Sequence, residues 1–228
     1  MIKNILFDLD DTLFDFHAAE KQAIKRTFET LGVPATEEVL KRYSQINAEH
    51  WKMLEKGLIT RDGVKVGRFE KLFAETGYGV SPEKTAALYE NNLSQGHIFI
   101  DGAENLLSFL YGKYRLYIVS NGSAKVQDGR IKSSGIAKYF ENIFISQRVG
   151  FDKPNKEFFD ACFSKIPDFS SDETVIIGDS LSSDIKGGKN AGIKTVWFDP
   201  SGKESDGDVF PDFTVFSLSE IPALISEM

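Results

Sequence analysis

The residues best equipped for chemistry stand in four short stretches: Asp8, Asp10 and Asp11 in FDLDDT, Ser120-Asn121-Gly122, Lys153-Pro154, and Asp179 with Asp184 in GDSLSSD. Carboxylates dominate this set, and carboxylates repel: two of them about 4 Å apart cost roughly 4 kcal/mol at a surface-like dielectric. A strand such as Ile5-Leu6-Phe7 gains nothing from like charges at its tip unless a cation offsets them. Oxygen ligands of this kind suit a hard divalent ion, and Mg²⁺ typically takes one or two carboxylates, waters and a substrate phosphate. A carboxylate nucleophile meeting a dianionic phosphate faces a repulsion of about 8 kcal/mol at that same dielectric. General acid catalysis supplies about 3 to 5 kcal/mol, so cations must act first. Mg²⁺ and Lys153 fill that part, while Ser120, Asn121 and nearby backbone NH groups are placed to hold phosphoryl oxygens.

These residues are separated along the chain, and secondary structure must bring them together. Besides the first strand, RLYIVS (115–120), ENIFIS (141–146), TVIIG (174–178) and KTVWF (194–198) are short, apolar and rich in β-branched or aromatic residues, as parallel strands covered on both faces require. Helical patterns lie between them: one after Lys153-Pro154 with Phe158, Phe159, Cys162 and Ile166 at helical spacing, another from about Ser183 to Ala191, ending at Gly192. Alternation of this kind predicts an α/β fold with a doubly wound, mainly parallel sheet. In such sheets ligands bind beyond the carboxyl ends of the strands, which is where all four stretches fall.

The interval between Asp8 and Ser120 holds far more chain than one crossover needs. Residues 17–97 read almost wholly as helix, with Gly32, Gly57 and Gly77 as stops and Ser81-Pro82 as the opening of a fourth helix. The expectation is therefore a core of residues 1–16 and 98–228, with an all-helical subdomain, 17–97, inserted after the first strand. The core is expected to resume near Asp101 as an N-cap, with Glu104 completing a capping box.

Composition narrows the function classes. The chain has 228 residues, 41% of them hydrophobic, and 34 acidic against 27 basic residues give a formal charge of −7. Like charges are not blocked together, so neither a nucleic-acid polymer nor an anionic membrane is the expected partner. A lone cysteine, Cys162, excludes an internal disulfide. No stretch approaches the roughly 20 apolar residues of a membrane span, and Lys3 and the acids from Asp8 interrupt anything resembling a signal peptide. A cytoplasmic location is expected, and nothing specifies an oligomeric state.

DLDDT, the hydroxyl in VSNG, KPNKEFF and GDSLSSD, in this order, resemble the haloacid dehalogenase superfamily of phosphohydrolases. The resemblance implies that Asp8 is the nucleophile forming an aspartyl-phosphate, and that Asp10 protonates the leaving oxygen and later activates water. It implies a Mg²⁺ site from Asp8, the carbonyl of Asp10, and Asp179, with Asp184 beside them, and a phosphate site from Ser120 and Lys153. Asp at position 10 matches the phosphatase branch, and the helical insert matches the family's cap, which closes over the substrate. TLFDF, Asn47, Trp51, GLIT, Gly67-Arg68-Phe69, VQDGRIKSSGI and VGFDKPNKEFFD further resemble the pyrimidine 5′-nucleotidases of noncanonical nucleoside monophosphates. In that reading the substrate is a small phosphorylated metabolite, a nucleoside monophosphate, and Phe14, Trp51 and Arg68 are candidate substrate contacts.

Other readings share parts of this pattern. Trp51 and Phe69 also fit a helical core stripe, and Arg68 fits an ion pair within the cap. A phosphoglycolate or sugar phosphatase, or a phosphomutase, uses the same core. A receiver-like phospho-accepting switch combines the same groups, but its acceptor follows a later strand and its chain lacks the inserted helices.

Overall fold

The computed structural model describes residues 1–202 and 208–228. These divide into two compact units: Met1–Phe16 with His97–Met228, and His17–Gly96.

The first unit is built on six parallel strands, β1 (Asn4–Phe7), β2 (Arg115–Ser120), β3 (Asn142–Ile145), β4 (Thr174–Gly178), β5 (Lys194–Phe198) and β6 (Phe213–Val215), in the order β3-β2-β1-β4-β5-β6. This is the expected doubly wound sheet. Side chains alternate across it, as a period of two demands. Ile5, Phe7, Leu116, Ile118, Val175 and Ile177 face one layer, with Leu106, Leu107 and Leu110 of helix Ala103–Leu110 and Ile221 and Ile225 of the C-terminal helix Ile221–Glu227. Leu6, Tyr117, Val119, Phe144 and Ile176 face the other, against Phe158, Phe159 and Cys162 of helix Lys156–Phe163. Each fully buried side chain of this size contributes about 1.5 to 3 kcal/mol, so the two layers hold the strand ends in fixed register. The order reverses between β1 and β4, whose residues Phe7 and Ile177 are register partners. That crevice is the place where this fold takes its ligands.

Four details depart from the sequence reading. β6 was not foreseen, because three residues, two of them exposed, carry too little pattern. The expected strand to Ser146 ends at Ile145, and Ser146 opens a short helix, Ser146–Val149. Helix Ala103–Leu110 starts from Gly102 with no side-chain cap, since the turn needs a left-handed residue (φ +81°) that glycine supplies without strain. Finally, the segment expected to be one helix to Ala191 begins with a π-helical turn, Leu181–Ile185, and continues as Lys186–Ala191.

The second unit holds helices Phe16–Leu31, which begins in the first unit, Glu37–Glu55, Arg61–Thr76 and Pro82–Ser94. Thr36, Thr60 and Ser81 cap the last three by accepting from the backbone NH of Val39, Gly63 and Lys84. Tyr43 stacks on Phe69 with ring centroids 5.3 Å apart and meets Tyr89 at 5.6 Å, forming an aromatic core. No helix among the described residues is long and apolar enough to cross a membrane.

Candidate active site

Asp8 follows β1 directly, and its backbone NH continues the ladder by donating to Ile177 O at 2.9 Å. The chain then turns sharply: Leu13 N and Phe14 N both donate to Leu9 O, at 3.0 and 2.8 Å. Asp11 takes a left-handed conformation (φ +57°) and accepts from Phe16 N at 2.9 Å, so it serves the turn. Thr12 reaches back, its Oγ1 accepting from Asp179 N at 3.1 Å and lying 3.5 Å from Asp8 Oδ2. Trp197 at the end of β5 donates its indole NH to Asp179 O at 2.7 Å. Two backbone atoms of Asp179 are thus pinned beside Asp8.

Asp184 arrives from the π-helical turn. Its Oδ2 accepts from Ser180 N at 3.1 Å, and a Cβ at Gly178 would sit 2.7 Å from Asp184 Cβ. Only glycine leaves space there for the carboxylate to fold against the strand end. One oxygen from each of Asp8, Asp179 and Asp184 lies within 4.8 Å of the others.

Among the described residues, Lys153 is the cation bonded to two of them, Asp8 and Asp184. Lys153 Nζ donates to Asp8 Oδ1 at 2.6 Å, Asp184 Oδ1 at 2.6 Å and Val119 O at 2.8 Å, which uses all three ammonium protons. Burial pulls this ammonium down, yet Asp184 and Asp8 outweigh it, and Lys153 is held above the ordinary lysine range. Burial pushes Asp8 up to about 8; Lys153 works against that, while Asp184 and Asp10 add to it. Asp179 is raised well above the usual range by burial and then by Asp8 and Asp184. An all-oxygen set of crowded, desolvated carboxylates with one lysine is a donor set matched to a hard divalent cation, which would relieve both the repulsion and the desolvation.

Ser120 ends β2, and its Oγ accepts from Gly122 N at 3.1 Å and Gln127 Nε2 at 2.9 Å. Asn121 lies alongside, with its side chain engaged by the peptide of Lys153: Lys153 N donates to Oδ1, and Nδ2 donates to Lys153 O, both at 2.9 Å. Asp10 is part-buried, ion-paired to Arg130 and 2.7 Å from Gln127 Nε2. Phe14 is fully buried in the first unit, its ring 5.2 Å from that of Phe99.

The two remaining candidates belong to the helical unit. Trp51 is half-buried, with the Arg61 guanidinium 5.7 Å from its ring. Arg68 is buried, donates to Asn47 Oδ1 at 2.7 Å and lies 4.5 Å from the Tyr89 ring centroid. Asn47 in turn donates to Glu20 at 2.6 Å.

Sequence reasoning passed over Gln127 and Arg130. Their signal was the buried stripe Val126, Gln127, Arg130, Ile131 of helix Ala124–Ser134, in which two polar residues occupy positions a packed helix reserves for apolar ones.

A family model described as haloacid dehalogenase-like hydrolase matches residues 5–198. The chain belongs to this family. It is accordingly a hydrolase, and its relatives agree with the phosphoric monoester class. It is 36% identical over 220 residues to the pyrimidine 5′-nucleotidase PynA of Streptococcus pneumoniae, covering 96% of this chain and 93% of that one. It is 33% identical over 221 residues to the pyrimidine 5′-nucleotidase YjjG of Escherichia coli, covering 97% and 96%. The crystal structure of the HAD-hydrolase YfnB from Bacillus subtilis bound to magnesium superposes with a TM-score of 0.94 at 40% identity, covering 98% of both chains.

Proposed function

We propose that this chain is a Mg²⁺-dependent phosphomonoesterase that works through an aspartyl-phosphate on Asp8 and takes pyrimidine nucleoside 5′-monophosphates. The observation that carries the chemistry is the Asp8 carboxylate, buried at the switch point of the sheet and bonded to Lys153 at 2.6 Å, with Asp179 and Asp184 alongside. The substrate class rests on the two nucleotidase relatives and on the cap motifs.

Asp8 attacks phosphorus while the bond from phosphorus to the 5′-oxygen breaks, and Asp10 gives its proton to that oxygen. Water then attacks the aspartyl-phosphate, Asp10 takes the water's proton, and the bond to Asp8 breaks to release phosphate. Lys153 orients Asp8 and neutralises part of the charge, and Asn121 holds the Lys153 backbone in place. Ser120 and the Gly122 region bind phosphoryl oxygens. Asp8, Asp179, Asp184 and the carbonyl of Asp10 would hold Mg²⁺, which when bound supplies the positive charge that lets an anion approach an anion. We take the helical unit as the cap and the source of selectivity, with Trp51 and Arg68 as the residues to vary and Phe14 as a support of the Asp10 turn.

The test is phosphate release from UMP, dUMP, dTMP, purine monophosphates, phosphoglycolate and sugar phosphates, with Asp8→Asn as control. The expected result is preference for pyrimidine nucleotides and none of it left in Asp8→Asn. Turnover by that variant would remove the nucleophile assignment, and a flat or sugar-phosphate profile would remove the substrate class.

A further inference from the structure

Asp10 is held by two side chains of one helix. Gln127 and Arg130 stand three positions apart on helix Ala124–Ser134, so they project from the same face. Gln127 Nε2 has two hydrogens and two acceptors in reach, Asp10 Oδ2 at 2.7 Å and Ser120 Oγ at 2.9 Å. Its Oε1 accepts from Arg130 Nη1 at 3.1 Å, and the same Nη1 donates to Asp10 Oδ1. This fixes the amide's sense, because a flipped Gln127 would set its carbonyl against the carboxylate and its NH₂ against the guanidinium. Arg130 is wholly buried and is steered by two rings, with its guanidinium carbon 5.1 Å from the Phe14 centroid and 5.8 Å from that of Phe16. Gly122 makes the room: a Cβ there would stand 2.7 Å from Gln127 Cδ and 2.8 Å from Cγ.

Two consequences follow. Ser120 Oγ already accepts two hydrogen bonds, from Gly122 N and Gln127, so its own hydrogen is left to donate outward to a phosphoryl oxygen. Both oxygens of Asp10 are engaged, Oδ2 by Gln127 and Oδ1 by Arg130, so the carboxyl group is fixed in one orientation rather than left to swing about its side-chain bonds. We infer that Gln127 and Arg130 are positioning residues that hold the Asp10 carboxyl group in the orientation in which it takes the proton of the attacking water. This rests on the aspartyl-phosphate reading above.

The experiment follows phosphoenzyme in wild type, Gln127→Met and Arg130→Lys with p-nitrophenyl phosphate and Mg²⁺. Its leaving group departs without needing a proton, so formation and hydrolysis of the intermediate separate. Gln127→Met keeps side-chain length and packing. Expected for both variants is a burst of p-nitrophenol with an unchanged formation rate, followed by phosphoenzyme hydrolysis slowed about 10- to 100-fold, less than the roughly 10²- to 10⁴-fold of general base catalysis because the base is misaligned rather than removed. KM falls with kcat, because the intermediate accumulates, while affinity for beryllofluoride, an acyl-phosphate mimic, stays unchanged. Equal loss in both steps, weakened beryllofluoride binding, or an unaltered phosphoenzyme lifetime overturns the inference. Absence of any trappable phosphoenzyme in wild type overturns the proposed function instead.

Discussion

The indole nitrogen of Trp197 donates to the backbone carbonyl of Asp179 at 2.7 Å. This bond joins the tip of β5 to the backbone of Asp179, one of the three residues whose carboxylate oxygens cluster within 4.8 Å, and so it sets a fluorophore against the candidate metal site. Mg²⁺ titration is expected to change tryptophan emission with a saturable curve. The chain has two tryptophans, so the source can be assigned: the response survives Trp51→Phe and disappears in Trp197→Phe. Losing the hydrogen bond, worth about 0.5 to 1.5 kcal/mol, should also weaken Mg²⁺ binding by roughly 2- to 10-fold, read by calorimetry. A response lost instead with Trp51 would contradict the assignment.

Lys153 is as much a structural partner as a chemical one. Removing it in Lys153→Met strands Asp8 and Asp184 without their shared ammonium, and breaking a buried pair from one side costs about 3 to 5 kcal/mol. Urea unfolding without divalent ions should show that loss. Saturating Mg²⁺ should return part of it, since a ligand bound only by the native state stabilises it. Equal stability of variant and wild type in metal-free buffer would refute the pairing.

Glu20 lies buried in the helical unit, accepting from Asn47 Nδ2 at 2.6 Å and Ser44 Oγ at 2.7 Å. Burial raises its pKa, and Ser44, Arg68 and Asn47 only partly counter this. The folded protein therefore holds this proton more tightly than the unfolded chain. Its stabilising effect is complete below the ordinary glutamate range and is lost as pH rises through the raised folded value. Glu20→Gln has no such loss. Wild type minus variant stability, from thermal melts, should fall as pH rises from the ordinary glutamate range; a difference that is constant or grows with pH rules this out.

Much of this protein was legible from local pattern. Short continuous apolar runs marked β1, β2, β4 and β5, because a strand buried on both faces must be apolar throughout. Gly32, Gly77 and Ser81-Pro82 marked helix ends, because capping is settled within a turn of chain. The placing of Asp8 and Asp179 at one sheet edge followed from parallel topology alone. Other features lay outside that reach. The three-residue β6 and the left-handed Gly102 are set by packing and turn geometry, which outweigh a plausible capping box.

The chain's order of residues determined which elements form and which side chains stand at their carboxyl ends, since those depend on interactions within a few positions. Tertiary structure alone decided the partners. Arg130 meets Asp10 across 120 positions, and Lys153 meets Asp8 across 145. A buried charge takes whichever counter-charge the folded backbone brings within hydrogen-bonding distance, and no local pattern records that distance.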